Sequence, residues 1–171
     1  MKYLLILLLF HFNPDQEIKQ SINPDDLKFS GLDFNSEKEL IWKTLGKVEE
    51  KRVYYECGFF SEDGQGKAFF ELNYPSATWI GNDEEGYSLD KVVFDRKGQV
   101  TLNYKNLVFS GKTTQKKLED LFNQESEPIV VSGRENENLE WIGLPFENRD
   151  DACHFYLKDG KLAEFEYWTP C

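Results

Sequence analysis

Leu27-Lys28-Phe29-Ser30-Gly31 returns 80 residues later as Leu107-Val108-Phe109-Ser110-Gly111. Each copy reads as a short strand closed by a Ser-Gly turn, and a helical pattern follows each. After the first copy, Ser36 with Glu39 three residues on has the form of a capping box. Leu40, Ile41, Thr44 and Leu45 then share a face, and Gly46 stands where a helix should stop. After the second copy, Thr113 or Thr114 can cap, and Leu118, Leu121 and Phe122 form the apolar stripe. Pro128 limits continuation, because the residue before a proline is disfavoured in the helical region. Strand then helix, twice over, makes the repeat the first guide to architecture.

Working outward, strand-like runs follow each helix. Arg52 to Phe60 alternates Val53, Tyr55, Cys57 and Phe59 against Tyr54, Glu56 and Gly58, a period of two. Lys67 to Tyr74 places Ala68, Phe70, Leu72 and Tyr74 on one face, with Ser61 to Gly66 as the hairpin loop between. Pro75 to Gly81 reads as irregular and leads into an acidic loop. Leu89 to Phe94 follows, and Val100 to Tyr104 pairs with Leu107 to Phe109 across Lys105-Asn106. At the C-terminus, Ala152 to Leu157 and Lys161 to Trp168 flank Lys158-Asp159-Gly160. A three-residue loop would set Phe155 opposite Ala163 and Cys153 opposite Phe165. A two-residue Asp-Gly turn would set Phe155 against Glu164, so apolar pairing favours the longer loop.

These readings predict an α+β fold of two tandem helix-on-antiparallel-sheet units sharing a core. The expected divisions are a signal peptide at 1–14, a polar linker at 15–26, a first unit at 27–104 and a second at 105–171. The chain's 171 residues are enough for one compact domain. Aromatics at 15% give it ample apolar area to offset the entropy of ordering.

The net charge of −11 argues against nucleic acid as a partner, since phosphate binding needs a basic face. It argues equally against a non-specific hold on anionic lipid. One lysine precedes the apolar run Leu4 to Phe10, which has the form of a secretory leader. That run is too short to cross a bilayer, which takes about 20 apolar residues. Export to the periplasm or beyond is therefore expected, with an N-terminal element of a cytoplasmic protein as the other reading. Cys57, Cys153 and Cys171 are an odd count, so at least one is unpaired within the chain. A Cys57–Cys153 bridge would join distant segments; the simpler reading makes both small apolar strand residues, with Cys171 exposed.

A short strand, a helix ending in Leu45-Gly46-Lys47, then aromatic-rich strands from Tyr54-Tyr55, twice over, resembles the tandem helix-plus-sheet arrangement of the BamE and beta-lactamase-inhibitor-protein group. The order Phe29-Ser30-Gly31, Leu45-Gly46-Lys47, Tyr54-Tyr55 is similar to that of uncharacterised bacterial domains of unknown function. The resemblance spans about residues 27 to 168 and implies a fold and a binding role, with no catalytic residues to carry over. This chain lacks the lipid-acceptor Cys of BamE-type lipoproteins.

No chemistry-bearing spacing emerges. His11, His154 and the cysteines make no metal-ligand pattern, and adjacent Cys153 and His154 point to opposite faces of a strand. Asn82-Asp83-Glu84-Glu85 lacks the alternating order of a calcium loop and reads as solvated charge, as does Arg134 to Asn138. There is no nucleophile elbow and no complete glycine-rich phosphate loop. The expectation is a non-enzymatic protein without cofactor or metal. It would bind a basic protein partner, as an inhibitor or immunity protein does, through Trp79, Asp83, Glu84, Glu85 and Tyr87. Trp79 is the aromatic expected to be most exposed. A structural envelope component and a small-ligand carrier are the alternatives.

Overall fold

In the computed structural model, which describes residues 21–134 and 137–171, the repeated pentapeptides meet in one sheet. β1 (Leu27–Phe29) turns at Ser30 and Gly31, both with positive φ, into β2 (Leu32–Asp33). β3 (Asn35–Ser36), α1 (Lys38–Leu45), β4 (Glu50–Val53) and the short α2 (Glu62–Gln65) follow. β5 (Phe69–Tyr74), β6 (Ala77–Asn82) and β7 (Gly86–Val93) form a meander, then come β8 (Thr101–Tyr104) and β9 (Leu107–Ser110). After α3 (Gln115–Phe122) the chain ends with β10 (Glu127–Ile129), β11 (Leu139–Pro145), β12 (Ala152–Lys158) and β13 (Lys161–Trp168).

The expected pair of helix-on-sheet units is corrected to a mostly-β fold. The strands build a four-stranded sheet, β2-β1-β8-β9, and a nine-stranded one, β10-β11-β12-β13-β7-β6-β5-β4, with β3 paired to β7. Pairing ignores the expected boundary at residue 104: β8 pairs β9, and β7 pairs β13. In the small sheet β8 lies between the two copies, which share one register. Tyr104 sits opposite both Leu27 and Leu107, and Leu102 opposite both Phe29 and Phe109. The repeat is thus a sheet-building element rather than the start of two units. Its glycines differ in use. Gly31 supplies a left-handed turn, whereas a Cβ on Gly111 would stand 2.1 Å from the Asp95 carbonyl oxygen.

Other local readings hold or shift for identifiable reasons. Thr114 caps α3 by accepting from the Lys117 N–H, and Leu118 and Phe122 are buried. Ser36 does not cap α1; its hydroxyl donates to the Asp33 carbonyl, and the helix begins after Glu37. Gly46 ends α1 at φ 94. Residues 54–61 leave the sheet after β4, because Gly58 adopts φ 85 and Cys57 bonds Cys171. The expected loop at 61–66 winds into α2, with Ser61 capping it. Pro75 to Gly81 is not irregular: Pro75-Ser76 is the turn, and Ala77-Thr78-Trp79-Ile80, rich in strand-forming residues, is central in the sheet. The C-terminal hairpin uses the two-residue Asp159-Gly160 turn, with Lys158 opposite Lys161. A bulge beside Tyr156 and Leu157 then restores apolar pairing, so Phe155 faces Phe165 and Cys153 faces Tyr167.

One apolar cluster runs through both halves, from Ile22 and Leu27 to Phe165 and Tyr167. Ile22, within the stretch read as a linker, is fully buried and bridges Phe146. The leader segment, His11 and residues 15–20 of that linker lie outside the described residues, as do Glu135 and Asn136.

A candidate ligand cavity

The excursion of residues 54–61 from the sheet brings two rings over a hollow. Cys57 is bonded to Cys171 beyond the end of β13, and the Phe59 N–H donates to Thr169 Oγ1 at 3.2 Å. Glycine suits position 58 because its φ is 85, where a side chain would be strained, and a Cβ would also crowd that hydroxyl at 2.5 Å. Ser61, nearly fully buried, donates its N–H to the Gly58 carbonyl, closing the segment on itself.

Beneath lies a cavity of about 300 Å³, walled by Phe34, Phe59, Phe60, Phe69 and Tyr167. Phe60 touches Phe69 and Tyr167 edge-on, at 5.6 and 5.8 Å between centroids, and Phe34 meets Tyr167 at 5.1 Å. Polar groups converge on the same space: Asp25, Glu85, Arg149 and Asp151, with Asn35 and Ser88. Tyr167 donates its hydroxyl to Asp151 Oδ2 at 2.5 Å, and Arg149 Nη1 lies 3.6 Å from the same oxygen. Asp151 Oδ1 is buried and has no hydrogen-bond partner among the described residues. Burial first, then the Asp151 carboxylate, pushes the Tyr167 phenol well up, so it stays a donor. A neighbouring cleft of about 490 Å³ shares Phe59, Arg149 and Asp151 and reaches Cys171.

Of the residues expected to grip a partner, only the acidic turn is at the surface. Trp79 and Tyr87 are fully buried, which corrects the expectation of an exposed Trp79. Both lie on neighbouring strands in the middle of the large sheet, where alternation turns them inward. Tyr87 hydrogen-bonds Glu50. Asp83, Glu84 and Glu85 form the β6–β7 turn, whose shape comes from Asn82 Oδ1 accepting the N–H groups of Glu84 and Glu85. Asp83 is paired with buried Lys38 at 2.5 Å and Glu85 with Lys67 at 2.6 Å. Burial pulls the Lys38 ammonium down, but its bonds to Asp83 and Glu50 outweigh this and raise it. Only Glu85 of the expected set also lines the aromatic cavity.

Beside the cavity segment, Asp90 is half-buried and feels the charges of Glu166 and Glu71. Burial first, then those two carboxylates, pushes it up to about 7, with Lys91 opposing. Tyr55 feels the same three charges, and burial chiefly pushes it up to about 12. On β12, His154 packs between Trp141 and Trp168, at 4.5 and 5.9 Å, and burial pulls its imidazole down.

The Cys57 expectation is corrected, since Cys57 pairs with Cys171 rather than with Cys153 or lying in a strand. Cys153 is a free, buried residue of β12 and Cys171 is exposed, as the simpler reading had them. Among the described residues no group of three or more His, Cys, Asp or Glu is placed to hold a metal ion. No helix among them is long and apolar enough to cross a membrane. The cavity residues that sequence reasoning missed are Asp25, Phe34, Asn35, Phe69, Ser88, Arg149 and Asp151; Phe59 and Phe60 were expected in a strand. The one available signal was the Gly58-Phe59-Phe60 triplet, where two adjacent rings break the period of two. Comparison with known proteins found no matching family model, no matching curated protein and no matching solved structure.

Proposed function

We propose that this chain is an exported, non-catalytic binding protein that carries a small ligand in the aromatic cavity. One observation carries the reading: five rings and several convergent polar groups line about 300 Å³ under a segment held by a disulfide. Small-molecule sites combine ring or aliphatic surface with fixed polar groups and run from about 300 to 1,000 Å³; this cavity is at the lower limit, and its lining is about equally polar and apolar. Export agrees with the leader-like N-terminus and with a disulfide, a bond that persists in oxidising compartments.

The test is a thermal-shift screen of small cationic, neutral and anionic aromatic compounds. A ligand that binds only the folded state raises the midpoint with concentration. Ser88→Leu, which narrows the cavity, should abolish the rise. A screen with no response, or one in which Ser88→Leu responds unchanged, refutes the carrier reading.

A second reading keeps the protein partner but moves its surface. Trp168 is 43% exposed beside His154 and Trp141, and large aromatics of this kind anchor interfaces. On that reading a basic protein is retained at low salt, and Trp168→Ala releases it while ligand binding is untouched.

A further inference from the structure

We infer that the Cys57–Cys171 bond is a site of thiol–disulfide exchange, opened by a dithiol while the rest of the protein stays folded, and that its opening releases residues 54–59. The inference stands apart from the carrier reading, since it concerns how this segment is held rather than what the cavity holds.

Position is the first argument. Cys57 and Cys171 are both exposed, and neither belongs to a strand or a helix. On one side the bond holds a segment that has left the sheet after β4; on the other it holds Thr169 to Cys171, which follow β13. Tyr54, Tyr55 and Phe59 are 74, 44 and 42% exposed, so lifting the segment uncovers little further apolar surface. Besides the bond, one hydrogen bond among the described residues ties the two stretches, from the Phe59 N–H to Thr169 Oγ1. The core lies elsewhere: Phe60 and Tyr167 belong to the apolar cluster, and neither bonded cysteine does. Segments with few buried contacts open locally, at a lower free energy than the whole fold. Exposed disulfides are accordingly the labile ones.

The chemistry is a two-electron exchange. A thiolate of the dithiol bonds one sulfur, the Cys57–Cys171 bond breaks, and the other sulfur leaves as a thiolate that takes a proton from water. The second thiol then displaces the first sulfur and closes the dithiol's own disulfide. Two electrons and two protons pass from the dithiol to the protein. The cleft of about 490 Å³ lined by Gly58, Phe59, Arg149 and Cys171 gives the incoming group room beside the bond.

Cys153, free and fully buried on β12, supplies an internal reporter of the remaining fold. The experiment treats the full oxidised chain with dithiothreitol at neutral pH without denaturant, then alkylates aliquots and maps them by peptide mass spectrometry. Cys57 and Cys171 should label at least about a hundredfold faster than Cys153, the gap between opening one segment and opening a stable domain. Hydrogen exchange in the reduced protein should approach that of an unstructured peptide at residues 54–59, while β6, β7 and β12 stay protected. Labelling of all three cysteines at one rate overturns the inference, as does a bond that resists the dithiol until the protein unfolds. Reduction that leaves exchange at 54–59 unchanged overturns the release.

Discussion

Replacing Asp90 by Asn should stabilise the protein, and by an amount that depends on pH. Burial among Glu166 and Glu71 raises this carboxyl from 3.8 to about 7 in the folded state. Each pKa unit is worth about 1.4 kcal/mol, so the shift is on the order of 4 kcal/mol, an upper figure if the site relaxes. The folded state holds the proton more tightly than the unfolded chain does. Below pH 3.8 both states are protonated and no penalty exists. Between 3.8 and about 7 the unfolded chain ionises first, and stability falls as pH rises. Above about 7 both are ionised and the full penalty is in place. An amide at this position cannot ionise. Urea unfolding followed by tryptophan fluorescence should therefore show Asp90→Asn close to wild type near pH 3.5. Its advantage should grow through the window and level off near pH 8 at a few kcal/mol. Hydrogen exchange at residues 54–61 should slow in the variant near pH 8, since Tyr55 shares the field of these carboxylates. A stability difference that does not change with pH would refute the assignment.

Removing the disulfide by Cys57→Ser with Cys171→Ser frees a separation of 114 residues. The chain-entropy model gives up to about 5 kcal/mol for such a loop, with about 2–4 typical, hence a midpoint lower by roughly 5–15 °C in calorimetry. An unchanged midpoint refutes the staple. In the oxidised protein Cys153 should stay inert to a thiol reagent until unfolding, because burial pushes its thiol far up. Gly81→Ala should destabilise by about 1–3 kcal/mol, since its Cβ would lie 2.0 Å from the Gly86 carbonyl oxygen across the β6–β7 pair. An unshifted urea midpoint would show that the pair can part at no cost.

Local patterns were legible where a residue's own neighbours decide its state. Thr114 caps the helix that Leu118 and Phe122 anchor, and Val100 to Tyr104 returns on Leu107 to Phe109 as the alternation implies. Errors came where distant pairing decides. The pentapeptide repeat is real, yet equal local sequence does not state whether two copies start separate units or flank one strand. The C-terminal hairpin shows the same limit. Asp159-Gly160 takes the tight turn its chemistry favours, and a bulge, which no spacing rule announces, repairs the register. Trp79 was misplaced because Pro75 and Gly81 signal a loop, while Thr78, Trp79 and Ile80 win as the middle of a central strand.

The cavity was illegible for a deeper reason. Its walls come from Asp25, Phe34, Phe59, Phe60, Phe69, Arg149, Asp151 and Tyr167, residues that pairings between distant strands, β7 with β13, β3 and β6 and β12 with β13, bring near one another together with the C-terminal disulfide. Binding groups gather on irregular segments held by a rigid frame, and residues 54–61 are such a segment. Their position depends on Cys171, which follows the last strand by only a few residues. The proposals of export and of ligand carriage are therefore coupled. In a reducing compartment the staple opens, Phe59 and Phe60 lose one tether, and the cavity loses its roof. In an oxidising one the rings are preorganised, and less ordering entropy opposes binding. The affinity of a compound found by the thermal-shift screen, measured before and after reduction, reads that coupling directly: a drop on reduction supports it, and an equal affinity separates the two proposals.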